Sequence, residues 1–573
     1  MSEQEGKEEV LTYGTGEYLV FGIIYIVGLF TLLNTFPATL VLVASAAYLF
    51  SRVWYRFGHW RRLGIAGPEP SFIMGNNVQL LKNGGIHAFD ADCTRKYGET
   101  FGAYIFGRSD LCSTNVDLLR QTLVKQFNNF VDRLIIAPVD ENNEYDLLSH
   151  LLTSYTGNRW REVRASVSPA FASQHIKKMV PLFNECGRTF ADVLGKSADS
   201  GSEVLIKDAC SRLTFDMIAR SAFSLEEPIQ TQENVEMVRQ AKTFFEVNFR
   251  SFGIIFTSLA PVESVKHDGS SVFFPVATGY IEKWAGVKLM ARSGNAYFLK
   301  LLSELYETRK QQMADGTLDT NRMDFIAVFL KSKEEEEEKA KREGAEAASR
   351  SPLTRMAIMG QSMIFLLAGY ETTSTALNIL FYHLAALPDV QKKVRDELLE
   401  QLGHDEDPDA EALSRLHYTD QVAFEVLRLY PPAIRQVFSV DGESQVFLNR
   451  ICTSACDLGG IPFRKGDSFS VPIREVHTNE RYYPDPWKFD PDRFAPEARN
   501  ARDPLTFLGF GAGPRNCIGQ RVAHFQIRAA VASVVRKFEF SLPPGAPSLP
   551  LEIVTSASFR TKETLKVLVK RIE

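Results

Sequence analysis

The chain lacks the basic excess of a nucleic-acid binder. Its 65 Lys and Arg stand against 70 Asp and Glu, a formal net charge of −5, so nothing in its composition calls for a nucleic-acid partner. Cysteine is scarce: seven in 573 residues, at positions 93, 112, 186, 210, 452, 456 and 517. The odd number and scattered spacing exclude a disulfide framework and fit reduced, cytosolic thiols. Cys452 and Cys456 are near neighbours. With no His-x-His and no second Cys pair beside them, they do not make a zinc site. No internal repeat is visible, and no flavin or nicotinamide module.

Charge is missing altogether from Tyr18 to Phe50. That run is too long for a signal-peptide core and long enough to cross a bilayer. Pro37, beside Asn34 and Thr35, interrupts it. It is therefore either one kinked helix or a span followed by an in-plane piece. Arg52, Arg56, Arg61 and Arg62 follow with no acid among them, while the residues before Tyr18 carry mainly Glu. The positive-inside rule then puts the body in the cytoplasm. A mitochondrial presequence would be Arg-rich and acid-poor, and this segment is neither. We divide the chain into residues 1–50 as tail and membrane anchor, 51–70 as a basic and Pro-rich linker, and 71–573 as one large domain. That domain is mainly α with a small β region. Strands are expected at Thr100 to Phe106 and Ser468 to Ile473, where β-branched and aromatic residues gather.

Two biased segments have bland readings beside functional ones. Glu334 to Glu338 is an unbroken acidic run, read as a solvated linker or exposed helix end in preference to a docking tail. Phe244, Phe245, Phe249, Phe252, Phe256, Phe273 and Phe274 crowd one region. They serve either a core helix or contact with a lipid surface.

What is present is most concentrated in Phe510-Gly511-Ala512-Gly513-Pro514-Arg515-Asn516-Cys517-Ile518-Gly519. Gly513 and Gly519 are expected to take conformations a side chain would forbid, and Pro514 stiffens the loop. Cys517 precedes a helix-like stretch from Gln520 to Phe538. N–H groups at a helix start favour thiolate over thiol, and a thiolate in a preformed loop suits a haem iron as axial ligand. Arg515 can reach a negatively charged propionate.

The pattern F-x-x-G-x-R-x-C-x-G resembles that of the cytochrome P450 family. Further landmarks fall in family order. Ala368-Gly369-Tyr370-Glu371-Thr372-Thr373 follows an all-apolar run, Met363 to Leu367, and so lies on a buried helix. A glycine and an acid there suggest a local opening of that helix. Glu425 and Arg428 are i,i+3 partners ahead of Leu429-Tyr430-Pro431-Pro432, and Pro491-Asp492-Arg493-Phe494 comes later. Trp160-Arg161-Glu162-Val163-Arg164 sets Trp160 and Arg164 on one helix face. Within the family the chain is most similar to the microsomal drug-metabolising 3A type and thromboxane synthase.

The resemblance implies a P450 fold behind an N-terminal membrane anchor in the endoplasmic reticulum. It implies haem b with Cys517 as the metal ligand. Arg515, Trp160, Arg164, Arg133, Arg435, Phe510 and Gly519 are the cofactor-binding residues it assigns. Thr372 and Glu371 become the catalytic pair, delivering protons on the oxygen-binding side. Glu425, Arg428 and Arg493 become a structural triad. His477 and His524 are read as structural. The implied partners are a hydrophobic substrate (lipid, sterol or xenobiotic), an NADPH-dependent cytochrome P450 reductase and cytochrome b5. Arg161, Lys177 and Lys178 are candidates for the reductase-facing surface. The activity implied is a monooxygenase. A reductase-independent isomerase of a lipid peroxide and a non-catalytic haem sensor are the alternatives.

Overall fold

The structure is a computed structural model. It describes residues 43–44, 47–48, 50–51, 54–71, 74–83, 85–105, 108–133, 141–224, 228–232, 235–243, 292–319, 324–342, 351–403, 407–432, 449–555 and 559–572. Almost all of the anchor, the Phe-rich region 244–274 and Arg435 lie outside these residues.

Helices dominate, as expected for residues 71–573. Those that build the site are α1 (Gly157–Val167), α2 (Ser173–Ser200), α3 (Ile206–Phe223), α4 (Phe325–Arg342), α5 (Arg355–Ala386), α6 (His417–Leu429) and α7 (Gln520–Val535). The 32-residue α5 is the axis of the core. It starts where the Thr354 hydroxyl accepts the Ala357 N–H at 3.1 Å and ends ahead of Pro388, which opens the next helix. By length and hydropathy α5 could cross a membrane. It is buried on all sides instead, because α3, α4 and α6 wrap it.

The expected local opening of α5 does not occur; it is continuous α-helix from end to end. Packing accounts for its odd residues. A Cβ at Gly369 would stand 2.8 Å from Ile218 Cδ1 on α3, so glycine lets the two helices approach. Glu371 is satisfied by Lys207 of α3 at 3.0 Å. On α2, Gly187 does a similar job: a Cβ there would meet Ser533 Cβ of α7 at 2.9 Å.

The β region is small. Strands β1 (Thr100–Ile105) and β2 (Arg108–Ser113) form a hairpin with Thr100 opposite Ser113. Two later strands, β3 (Asn449–Ile451) and β4 (Ser468–Ser470), complete a sheet in the order β1-β2-β4-β3. The pairing β2–β4 is parallel and β3–β4 antiparallel. The strand expected to reach Ile473 stops at Ser470, because Pro472 has no N–H to continue the ladder and leads into the short helix Ile473–His477. The helix-like stretch after Cys517 likewise ends at Val535, and Phe538–Ser541 is a strand.

Glu334 to Glu338 lies on α4, mostly exposed and laced by i,i+4 pairs such as Lys333–Glu337 and Glu338–Arg342. Glu336 is the exception. Its carboxylate accepts Ser166 Oγ and Ser351 Oγ, both at 2.5 Å, and so docks α4 against α1.

Candidate active site

Cys517 sits at the inner end of a tightly folded loop. Its N–H donates to Phe510 O at 2.9 Å, and Asn516 N donates to Gly513 O at 3.0 Å. Gly511 (φ +72°) and Gly513 (φ +71°) occupy the left-handed region. At Gly513 a Cβ would fall 1.9 Å from Leu123 O. Gly519 departs from expectation: its φ is −86° and a Cβ would meet nothing within 4 Å. Its backbone needs no glycine; what its smallness preserves is open space on the cavity side.

Cys517 lines a cavity to which it is exposed, and it is otherwise deep in the protein. Burial pushes its thiol up. The N–H groups of Gly519 and Gln520 and the charges of Arg164 and Arg133 act in the opposite direction. The helix-start effect is therefore real, but burial outweighs it in the protein alone.

The cavity offers about 1430 Å³, counting its open mouth. Cys517, Phe510 and Gly519 line one side, and Ala368, Gly369 and Thr372 of α5 face them. Trp160, Arg164, Arg133 and Arg515 line a further part. Those three arginines and Arg450 of β3 form a cluster of positive charge. Arg515 is 3% exposed, donates to Tyr155 O at 2.7 Å and lies over the Trp160 ring at 4.3 Å. Arg133 donates to Arg515 O at 2.9 Å, and Arg164 to Asn516 O at 3.1 Å. Arg450 is fully buried and donates to Asn449 O at 2.9 Å.

Among the described residues none of the four pairs with a carboxylate within 4 Å, and Arg133 Nε, Arg515 Nε, Arg450 Nε and Arg450 Nη2 have no acceptor. Burial, then mutual repulsion, pulls their proton affinity down: Arg133 to about 10, and Arg450 and Arg515 well below their usual range. Unpaired buried charge is costly. A cradle of this kind is built for an anion that reaches it from the cavity, and a dianionic macrocycle ligated by Cys517 meets that requirement.

Sequence reasoning missed Arg450. The available signal was one arginine inside Phe447-Leu448-Asn449-Arg450-Ile451-Cys452, an otherwise mostly apolar run.

On α5, Thr372 faces the cavity, but its hydroxyl donates to Ala368 O at 2.7 Å, one turn back on its own helix. Glu371 does not line the cavity. Its carboxylate turns to Lys207, whose ammonium also donates to Ser374 Oγ and Thr375 Oγ1 at 2.9 Å each. Lys207 too went unseen in the sequence. Above Thr372 the wall is aromatic: Phe171 and Phe325 each pack on Phe365, at 4.7 and 5.6 Å between ring centres. Of the candidate surface cations, Lys177 and Lys178 are exposed on α2, and Arg161 donates to Asn128 Oδ1 at 2.8 Å.

The loop is held from below by a buried polar network. Glu425 and Arg428 on α6 are both fully buried and joined by two hydrogen bonds, at 2.7 and 2.8 Å. Arg493 Nε stands 3.6 Å from Glu425. Arg428 donates to His477 O at 2.9 Å. His477 Nδ1 lies 3.0 Å from Arg428 O, and its Nε2 accepts the Leu508 N–H at 2.7 Å. These contacts fix the neutral tautomer with hydrogen on Nδ1. Burial holds its pKa down at about 3. The network thus runs unbroken from α6 to the start of the Cys517 loop. His524 packs on Phe510, ring centres 5.2 Å apart, with Asp420 at 3.6 Å.

Comparison with known proteins agrees with this geometry. The family model described as Cytochrome P450 matches residues 65–568. The chain is 28% identical to cytochrome P450 3A14 of Cavia porcellus, over 90% of this chain and 93% of that protein. It is 28% identical to 3A41 of Mus musculus, over 91% and 95%, and 28% identical to 3A28 of Bos taurus, over 90% and 92%.

Proposed function

We propose that this chain, which belongs to the cytochrome P450 family and is a monooxygenase of that family, binds haem b through Cys517 and oxygenates a hydrophobic small molecule. One observation carries the reading. A cysteine sulfur, an arginine cradle with no carboxylate partner among the described residues and the Thr372 face of α5 all open onto one cavity. The chemistry that haem b supplies when bound is activation of dioxygen, one oxygen atom passing to the substrate and the other leaving as water.

The chain's own residues do the rest. Cys517 ligates, and Phe510 and Gly519 shape the space beside it. Arg133, Arg164, Arg450 and Arg515, with Trp160, hold the propionates; Arg435 belongs to the same proposal. Thr372 offers a hydroxyl on the oxygen side once it turns from Ala368 O. Glu371, released from Lys207, relays protons from solvent to it. Phe171, Phe325 and Phe365 exclude water and favour an apolar substrate such as a lipid, sterol or xenobiotic. Electrons come from an NADPH-dependent reductase in the endoplasmic-reticulum membrane, with cytochrome b5 as a second donor. Residues 1–50 anchor the chain there with its body in the cytoplasm.

The test is direct. The reduced carbon-monoxide complex should show the red-shifted Soret band of thiolate ligation, and Cys517→His should lose it. Product should require both NADPH and the reductase. Turnover of a lipid peroxide with no reductase present would replace this reading with the isomerase.

A further inference from the structure

Cys452 and Cys456 lie outside the cavity, and no step above uses them. Their sulfurs are 4.0 Å apart. Cys452 follows β3 and is fully buried; Cys456 opens the strand Cys456–Leu458 and is partly accessible. Only Thr453, Ser454 and Ala455 separate them, and the Cys452 thiol donates to Ser454 O at 3.0 Å. We propose that Cys452 and Cys456 are a redox dithiol, which a peroxide converts to an intramolecular disulfide that loosens the arginine cradle beside it.

The chemistry balances with hydrogen peroxide as oxidant. Cys456, the accessible thiol, attacks one peroxide oxygen. An S–O bond forms, the O–O bond breaks, and the thiol proton leaves with the displaced oxygen as water. Cys452 then attacks the Cys456 sulfur. The S–S bond forms, the S–O bond breaks, and the released hydroxide takes the Cys452 proton as a second water. Two thiols lose two electrons and two protons, and one peroxide becomes two waters. Burial pushes both thiols up, Cys452 to about 12, so little thiolate is present at rest and the reaction with peroxide is slow. The neighbouring sulfur captures the first oxidation product before it goes further.

The link to the cradle is covalent and short. Arg450 is two residues before Cys452. The segment that carries both is pinned to the stretch that carries Arg133: Ile451 N donates to Asp132 O and Thr453 N, just past Cys452, to Asn129 O, each at 2.8 Å. Cys452 is pinned as well, its N–H to Asp467 O and its carbonyl to Gly466 N, both at 2.8 Å. The sulfurs must close by about 2 Å to bond. Cys452 is buried and pinned, so closure that the Cys456 side chain does not supply falls on the backbone beside it, next to β3 and Arg450.

The experiment uses the full, haem-loaded chain. Hydrogen peroxide is added stepwise and quenched with catalase; the protein is then unfolded with an alkylating reagent and mapped. Cys452 and Cys456 should lose alkylation together, leaving five of the seven cysteines reactive. Their shared peptide should lack two hydrogens, and dithiothreitol should restore it. Haem transfer to apomyoglobin should be on the order of threefold faster from oxidised than from reduced protein. Cys456→Ser, with Cys456→Ala as a second variant, should abolish the crosslink and the faster transfer together. Full alkylation of both cysteines after peroxide has oxidised other residues would overturn the dithiol. A crosslink with an unchanged transfer rate would overturn its coupling to the cradle.

Discussion

Acid should destabilise this fold through buried neutral histidines, and His477 sets the scale. It is fully buried and uses both ring nitrogens. Protonating Nε2 would turn the acceptor of the Leu508 N–H into a second donor, so burial and geometry both oppose it. Its pKa is held near 3, and that of His383, also fully buried, near 4. In the unfolded chain each titrates near 6.5. Above that value neither state binds the proton, so pH has no leverage. Between 6.5 and the folded value only the unfolded chain binds it, so stability falls as pH falls, by about 1.4 kcal/mol per unit for each histidine. From pH 7 to pH 5 each should remove about 2 kcal/mol. Below the folded values the loss is complete. His87, His150 and His175 shift the same way, so the informative quantity is a difference between variants. His477→Gln cannot titrate. It should cost about 1–3 kcal/mol at pH 7 by breaking the contact to Arg428 O or Leu508 N, yet lose about 2 kcal/mol less than wild type between pH 7 and pH 5. Urea unfolding of the haem-loaded protein at several pH values, followed by tryptophan fluorescence and Soret absorbance, measures this. A His477→Gln protein with the wild-type pH dependence would refute the reasoning.

The other expectations concern the network, the cradle, α5 and the anchor. Glu425→Ala leaves Arg428 buried without its partner and should cost about 3–5 kcal/mol, seen as little haem-loaded protein; normal loading and thermal stability would contradict the triad's role. Arg450→Met should act with opposite signs in the two forms. The haem-free protein should gain about 1–4 kcal/mol from losing an unpaired buried charge, while haem transfers out faster; two changes in the same direction would remove Arg450 from the cradle. Thr372→Ala should keep haem and fold, because the hydroxyl bonds only a carbonyl of its own helix and Ala is a better helix former. It should form less product and more hydrogen peroxide per NADPH oxidised, and unchanged coupling would exclude Thr372 from proton delivery. A chain without residues 1–50 should leave the membrane fraction with its haem spectrum intact, and loss of haem would assign the segment a folding role.

What could be read from the sequence was what lies close together in it. The loop from Phe510 to Gly519, the Glu425–Arg428 pair and the Trp160–Arg164 pair are each spaced by a single turn or loop, so their geometry follows from local rules. Partners that meet across the fold left little trace. Lys207 reaches Glu371 from α3, 164 positions earlier, and no periodicity links the two. Arg450 joins Arg133 and Arg515 only because β3 pairs with β4 and bridges to Asp132. Glycine was the most misleading letter. Gly369 is required by Ile218 of a neighbouring helix and does not mark an opening of α5. Gly511 takes the left-handed φ expected of Gly519. A glycine in a motif announces a constraint, but its kind depends on what packs nearby.

The two halves of the site differ in how far the polypeptide satisfies itself, and that difference bears on how it is assembled. The loop side is largely self-satisfied without a ligand, Arg493 Nε excepted, and that group still has the Glu425 carboxylate at 3.6 Å. Glu425, Arg428 and His477 give and receive hydrogen bonds among themselves and on to Leu508, so the polypeptide alone can hold the Cys517 loop in place. The cradle side is not complete. Three buried arginines and the half-buried Arg164 face one another with no carboxylate within pairing distance among the described residues, and in a low-dielectric interior that repulsion is several times stronger than in water. Folding therefore produces a rigid sulfur-bearing loop beside a cluster of charge that favours opening. Binding of a dianion removes the repulsion and fills the cavity in one step, so ligand affinity and core stability are coupled. A protein arranged in this way should be stabilised most by its cofactor around Arg133, Arg164, Arg450 and Arg515, and least around Glu425 and Arg428. Hydrogen exchange in the two forms should place the difference on β3 and α1, with α6 nearly unchanged.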